Sequence, residues 1–483
     1  MGLFGKKKDA DLKAVELKDS LDAVKREMEP TKKTLEPDSP RMTPDLVSMN
    51  DGVNICAKAC ASCWDVKLPE GYRARAEYIG RRTKTGHTSI IEHSNVVFYV
   101  PVQVPEIPSL VEFLSIVRYA NTVIKFSKKY DVLYMLIGGS WRAFSDIYLK
   151  ADEEILKYNT VLTKITHLIY KYIPSDGMRD IIDLGILDET MFANWETNNI
   201  TQAYNYCRET VIDDDIIITN MDSMRDLINT IEVVCPEPYL FTYKDLLPLQ
   251  TVTIEFRNMS RIITQQLTRH RNGITQESQR YVNYSGASFN SPAKFRPDKY
   301  NPNDYYTITF GGKQYRMTLQ KLGDEMTHIY GQLTDKMMNG GKELLKEDAR
   351  GYLPNNTQCG KIFMTFTYYS LIKFLQLRED SHAQAEIRGY ATRIGQWFRQ
   401  NASNDCVVFI NEGIYTALLP NSIHSPFTAP IINPDPDTSS VIVGDDNTVM
   451  ELVDSYESSI EYADQHPEET TQAEEESRQK SEY

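Results

Sequence analysis

The sequence predicts an α/β (α+β) chain, a mixed sheet flanked by long helices, with a mostly helical insertion. Three observations point that way. Asn95–Val102 (NVVFYVPV) and Thr251–Phe256 (TVTIEF) are rich in β-branched and aromatic residues, as strands are. Residues 258–270, 318–348 and 368–400 carry helical character, broken at Pro354 and Asn355. Between the two strands lies a long stretch, about 109–230, that reads as mostly helical and includes the amphipathic segment Ala151–Tyr172 and the acidic turn Asp213-Asp214-Asp215.

The elements follow in chain order. Residues 9–29 interleave charges with Leu12, Val15, Leu17, Leu21 and Val24, a polar and marginal helix. A Pro-rich linker follows from Glu29 to Pro44, and the folded body is expected to start near Met49. The organisation expected is thus 1–48 helix and linker, 49–108 first part of the main domain, 109–248 insertion, 249–430 second part and 431–483 tail. From Ile432 onward Pro, Ser, Asp and Glu dominate, a composition that buries too little surface to order itself.

The 483 residues carry 53 Lys+Arg and 67 Asp+Glu, a formal net charge of −14. Residues 431–483 hold fifteen Asp+Glu and two Lys+Arg, which leaves 51 basic and 52 acidic residues in 1–430. The acidity belongs to the tail, and the body is close to neutral. The body has no continuous basic run, which argues against nucleic acid as a partner. No apolar run approaches the length of about 18 residues that a spanning helix needs. There is no apolar leader, and Lys6 stands where a myristoylation signal wants Ser or Thr. A cytoplasmic location is the expectation (host cytoplasm for a virus or phage), with its seven cysteines reduced.

Four clusters carry chemistry. Arg269-His270-Arg271 opens the densest polar run, which continues through Gln276, Glu277, Ser278, Gln279, Arg280 and Tyr281. Guanidinium forks match phosphate and carboxylate geometry, and the neutral side chains suit a base edge. Alone, this run also reads as a solvated basic turn. His87-x-Ser89-x-x-Glu92-His93 fits no metal-ligand spacing, since His87 and His93 do not share a helix face; Ser89 and Glu92 have the spacing of a capping box. Leu377–Arg388 alone reads as a charged helix with Glu386 and Arg388 exposed. Cys56, Cys60 and Cys63 match a [4Fe–4S] spacing and equally one buried helix face.

The first three clusters together resemble the flavin-dependent thymidylate synthases, the ThyX family. Its signature R-H-R, spacer, Ser-x-Arg-Tyr matches Arg269–Arg271 and Ser278–Tyr281, with six spacer residues instead of seven. H-x-[ST]-x-x-E-H matches His87, Ser89, Glu92 and His93. A-R-x-x-L-P matches Ala349–Pro354, and L-R-x4-A-Q-x-E-I-R matches Leu377–Arg388. The resemblance covers about 50–105 and 250–415. It implies reductive methylation of dUMP to dTMP with methylenetetrahydrofolate, FAD and NADPH, in a homotetramer with shared sites. It implies FAD contacts from His87, Ser89, Glu92, Arg269, His270 and Arg271, and dUMP contacts from Gln266, Gln276, Glu277, Ser278, Arg280, Arg350 and Arg378. Arg350 would take the phosphate. The catalytic candidates are Arg378, which would polarise the uracil ring, and Ser278, which has no evident activating base and is expected to bind dUMP without a covalent bond. No metal is implied.

The chain departs from the family at Thr367 and Tyr369, where an N-x-R element usually helps to hold FAD. Trp141 or Arg142, within Gly138–Phe144, is the candidate replacement. Alternatives are a catalytically altered nucleotide-binding relative of the fold, motivated by that departure, and an iron–sulfur enzyme using Cys56, Cys60 and Cys63.

Overall fold

A computed structural model describes residues 43–150, 158–173, 209–270, 273–338 and 340–401. The expected polar N-terminal helix, all but the last two residues of its linker and the acidic tail lie outside these, and the first strand already begins at Asp45.

The first sheet has the strand order β1 (Asp45–Met49), β2 (Val96–Gln103), β4 (Val132–Gly139), β3 (Asn121–Ser127). The second has the order β5 (Thr210–Asp213), β6 (Ile216–Met221), β7 (Thr251–Phe256), β11 (Ile362–Thr367), β8 (Gly273–Gln276). A separate hairpin joins β9 (Tyr306–Phe310) to β10 (Lys313–Met317). Every described pairing is antiparallel, where the sequence reading expects a mixed sheet. The short links between β3 and β4 and between β5 and β6 permit only antiparallel neighbours, because a parallel pair needs a long crossover.

The helices are α1 (Gly52–Cys63), α2 (Tyr72–Lys84), α3 (Ile107–Ile116), α4 (Trp141–Lys150), α5 (Thr160–Tyr172), α6 (Met224–Val234), α7 (Arg261–Leu267), α8 (Leu319–Thr334), α9 (Tyr368–Arg378) and α10 (Ala385–Gln400). Asp51 caps α1, accepting from the Asn54 N–H at 3.3 Å. Cys56 and Cys60 point from α1 into the core at 0 % exposure, beside Val53, Phe98 and Trp141. Burial pushes the Cys60 thiol up to about 12 and that of Cys63 to about 11. Cys56 and Cys60 therefore pack on a buried helix face, with Cys63 half-buried beside them.

The described part of 109–248 carries most of α3 and all of α4, α5 and α6. The same segment also supplies β3 and β4 to one sheet and β5 and β6 to the other, so it is woven into both.

A 3-10 turn at Thr88–His93 joins the layers. His93 is fully buried, with Nδ1 2.8 Å from Thr365 Oγ1 on β11 and Nε2 2.8 Å from Thr275 Oγ1 on β8. Burial lowers its pKa to about 3. The unfolded chain takes up a proton near pH 6.5 that the folded chain refuses, so stability falls as pH drops below 6.5. The loss attributable to His93 is about 2 kcal/mol at pH 5. Urea midpoints at pH 7 and pH 5 check this: His93→Gln should start less stable yet lose less between the two. An unchanged pH loss in the variant would remove His93 as the cause.

Candidate active site

A cavity of about 720 Å³ opens where the two sheets meet the 3-10 turn. This is the ordinary size of a small-molecule site. Its wall includes Glu92, Asn95, Arg118, Arg142, Thr367 and Tyr369. Glu92 forms an ion pair with Arg142, which stands one residue into α4. Burial raises the Glu92 carboxyl, and the Arg142 guanidinium pulls it back down. Ser89 does not cap this turn as the sequence suggests: the capping position falls on His87, and Glu92 reaches across to Arg142. Gly273 is required here, since a Cβ would sit 2.8 Å from the Glu92 carbonyl oxygen. Trp141 is 1 % exposed and packs on Gly52, so only Arg142 of the two candidates faces the cavity.

Arg269, His270 and Arg378 come together at a second place. α7 runs into a 3-10 turn at Thr268–His270, and Arg378 ends α9. Arg378 Nε donates to His270 Nε2 at 3.1 Å, and the imidazole meets Phe374 edge-on at 5.2 Å. His270 is therefore neutral with its proton on Nδ1. Burial, then Arg378, lowers its pKa to about 4. Burial and Arg269 together lower the pKa of Arg378 itself. Among the described residues neither guanidinium has an ion-pair partner. Arg271 lies outside the described residues.

Arg280 and Arg350 meet at a third. Arg280 Nε binds Glu347 Oε2 at 3.0 Å, and Arg350 Nε donates to the Glu347 carbonyl at 3.0 Å. The Ser278 N–H donates to the Cys63 carbonyl at 3.0 Å, and Ser278 Oγ accepts from the Arg280 N–H at 3.3 Å. Among the described residues no base hydrogen-bonds that hydroxyl. Close in sequence, Tyr281 lies parallel to Trp64 at 6.2 Å, and Trp64 receives the His87 edge at 4.7 Å and the Arg82 guanidinium at 4.4 Å.

The remaining expected residues serve the framework as well. Gln276 sits on β8 opposite Ile362, with Oε1 buried and unpartnered among the described residues. Glu277 is buried under Gly360, where a Cβ would lie 1.9 Å from Oε2, and burial raises its carboxyl. Gln266 is half-buried on α7. Glu386 is 2 % exposed, not solvated as its charged helix suggests: it accepts from the Ser260 N–H at 2.8 Å, Ser260 Oγ at 2.7 Å and Asn290 Nδ2 at 2.8 Å. Of the residues expected from the motifs the cavity lining holds Glu92, together with the candidate replacement Arg142. Arg118, Asn121 and Ser140 line it without having been anticipated. The Gly-Gly-Ser junction between β4 and α4 was a readable signal for Ser140; nothing local marks Arg118.

Residues 238–402 match the family model described as Thymidylate synthase complementing protein. Over that segment the chain is similar to the flavin-dependent thymidylate synthases. It is 27% identical over 183 residues to the flavin-dependent thymidylate synthase of Kosmotoga olearia, covering 36% of this chain and 74% of that one. It is 28% identical over 167 residues to the enzyme of Pyrococcus furiosus, covering 34% and 62%. It is 36% identical over 92 residues to that of Thermotoga neapolitana, covering 18% and 40%. A Helicobacter pylori ThyX structure, complexed with FAD and dUMP, aligns with a TM-score of 0.22 and 17% identity over 35% of this chain and 76% of that one. Among the described residues no helix is long and apolar enough to cross a membrane.

Proposed function

We propose that this chain makes dTMP by reductive methylation of dUMP, with methylenetetrahydrofolate as carbon donor, FAD as cofactor and NADPH as reductant, in the cytoplasm. The observation that carries the reading is the Arg269–His270–Arg378 group. Two guanidiniums placed near each other beside a neutral imidazole, with no carboxylate partner among the described residues, make a place suited to an anionic ligand.

The donor set fits a flavin dinucleotide. Glu92, Arg142, Ser140 and Asn121 in the cavity, with Arg269 and His270 of the second group, would hold it. FAD supplies the redox chemistry that uracil methylation needs. The protein's part is binding and charge. Arg378 faces the negative charge that develops on the pyrimidine carbonyl when C5 becomes nucleophilic, and stabilises it. Arg280 and Arg350 bind the dUMP phosphate end, and Ser278 positions the nucleotide by a hydrogen bond. The expected residues fall into separate groups on one chain, which supports a homotetramer whose sites draw on more than one subunit.

The test is optical and direct. The purified protein should be yellow with flavin bands and should oxidise NADPH only when dUMP is added. A colourless protein that binds dUMP and leaves NADPH untouched would favour a nucleotide-binding relative without the chemistry.

A further inference from the structure

Two guanidiniums that no family element supplies reach the cavity, and both come from 109–248. β3 and β4 pair antiparallel with Asn121 opposite Gly138. Residues just before β3 and just after β4 therefore lie at one end of the pair. That end is the cavity wall: Arg118 and Asn121 arrive from one strand, Ser140 and Arg142 from the other. Gly139 allows the approach, since its Cβ would lie 3.3 Å from the Ala120 Cα.

The charges there do not cancel. Glu92 is the one carboxylate lining the cavity, and Arg142 takes it. Arg118 makes no ion pair or hydrogen bond among the described residues, so the lining residues carry one positive charge in excess, with Asp146 near Glu92 but outside the lining. Across the cavity the start of α9 offers only the neutral side chains of Thr367, Tyr369 and Ser370. An anion entering this space meets its countercharge on the β3–β4 wall and nowhere else in the lining. A planar fork is suited to two phosphate oxygens at once.

We propose that Arg118 and Arg142 bind the pyrophosphate of FAD, so that the segment 109–248 carries the cofactor's phosphate recognition in this chain. The assignment rests on the flavin reading above.

Flavin fluorescence titrations separate the possibilities. Wild type should bind FAD far more tightly than riboflavin, which lacks the phosphates. Arg118→Ala and Arg142→Gln should each weaken FAD binding about 10- to 100-fold, the range of a hydrogen bond to a charged group. Riboflavin affinity, and dUMP affinity by calorimetry, should stay within about twofold. Arg118 is exposed and its replacement spares the Glu92 pair, so that variant tests the assignment even if Arg142→Gln misfolds. Wild-type FAD affinity in Arg118→Ala overturns the proposal, as does a loss of dUMP affinity in place of FAD affinity. A wild type that binds no flavin sinks the functional reading and this assignment together; a wild type that binds FAD beside unimpaired variants sinks this assignment alone.

Discussion

Alanine at Arg378 is expected to lower kcat by about 10²–10³-fold without weakening the fold, the cost of removing one preorganised donor from a developing anion. Arg378 spends its Nε–H on His270 and makes no other hydrogen bond among the described residues. Four N–H donors of the guanidinium remain for a ligand. Its pKa is lowered by burial and by Arg269, so the unliganded site holds two cations against each other. Removing one relieves that repulsion, and the melting temperature of Arg378→Ala should equal or exceed that of wild type. The kinetic split decides the role. An interaction made mainly in the transition state lowers kcat and kcat/KM together, whereas one made equally with bound substrate raises KM alone. Arg378→Lys keeps a charge but loses the fork, and should recover only part of the rate. Wild-type kcat with a raised KM in Arg378→Ala would leave Arg378 as a binding residue only.

What was legible in the sequence was local. Thr251–Phe256 alternates and is β7 to the residue, and Arg269 and His270 lie in the turn that ends α7, after a helix as expected. The hairpin β3–β4 escaped because β4 is buried along nearly its whole length, and a continuous apolar run has no period to distinguish strand from helix. Long-range partners escaped for another reason. Glu386 sits in a charged run that reads as solvent-exposed, yet its donors Ser260 and Asn290 are 126 and 96 residues away. Arg280 and Arg350 look like independent cations until Glu347 is seen between them. Glu92 was legible from its motif, but its partner Arg142 lies 50 residues on, inside a segment with no counterpart in the motif pattern. The cysteine spacing suited two chemistries equally, and the structure shows Cys56 and Cys60 packed into the core among Val53, Phe98 and Trp141.

Asp222→Ala is expected to cost about 4 kcal/mol, a large part of the 5–15 kcal/mol that holds a typical domain together. Asp222 follows β6 and is 0 % exposed. Its Oδ2 accepts from the Thr251 N–H at 2.9 Å, Thr251 Oγ1 at 2.6 Å and Asn95 Nδ2 at 3.0 Å, and its Oδ1 accepts from Asn220 Nδ2 at 2.8 Å. Thr251 opens β7 in one sheet and Asn95 precedes β2 in the other, so one carboxylate ties the sheets at the cavity floor. Truncation strands four donors away from water, and buried donors left unmade cost more than the bonds were worth. Urea unfolding should show the loss in its midpoint. Asp222→Asn has the same shape but turns an NH₂ towards donors, and should fall between the two. Asn95 and Thr251 also line the cavity, so Asp222→Asn should weaken FAD binding while still folded, although Asp222 is not among the lining residues. A stability within about 1 kcal/mol of wild type in Asp222→Ala would mean that the Asp222 carboxylate does not hold the two sheets together.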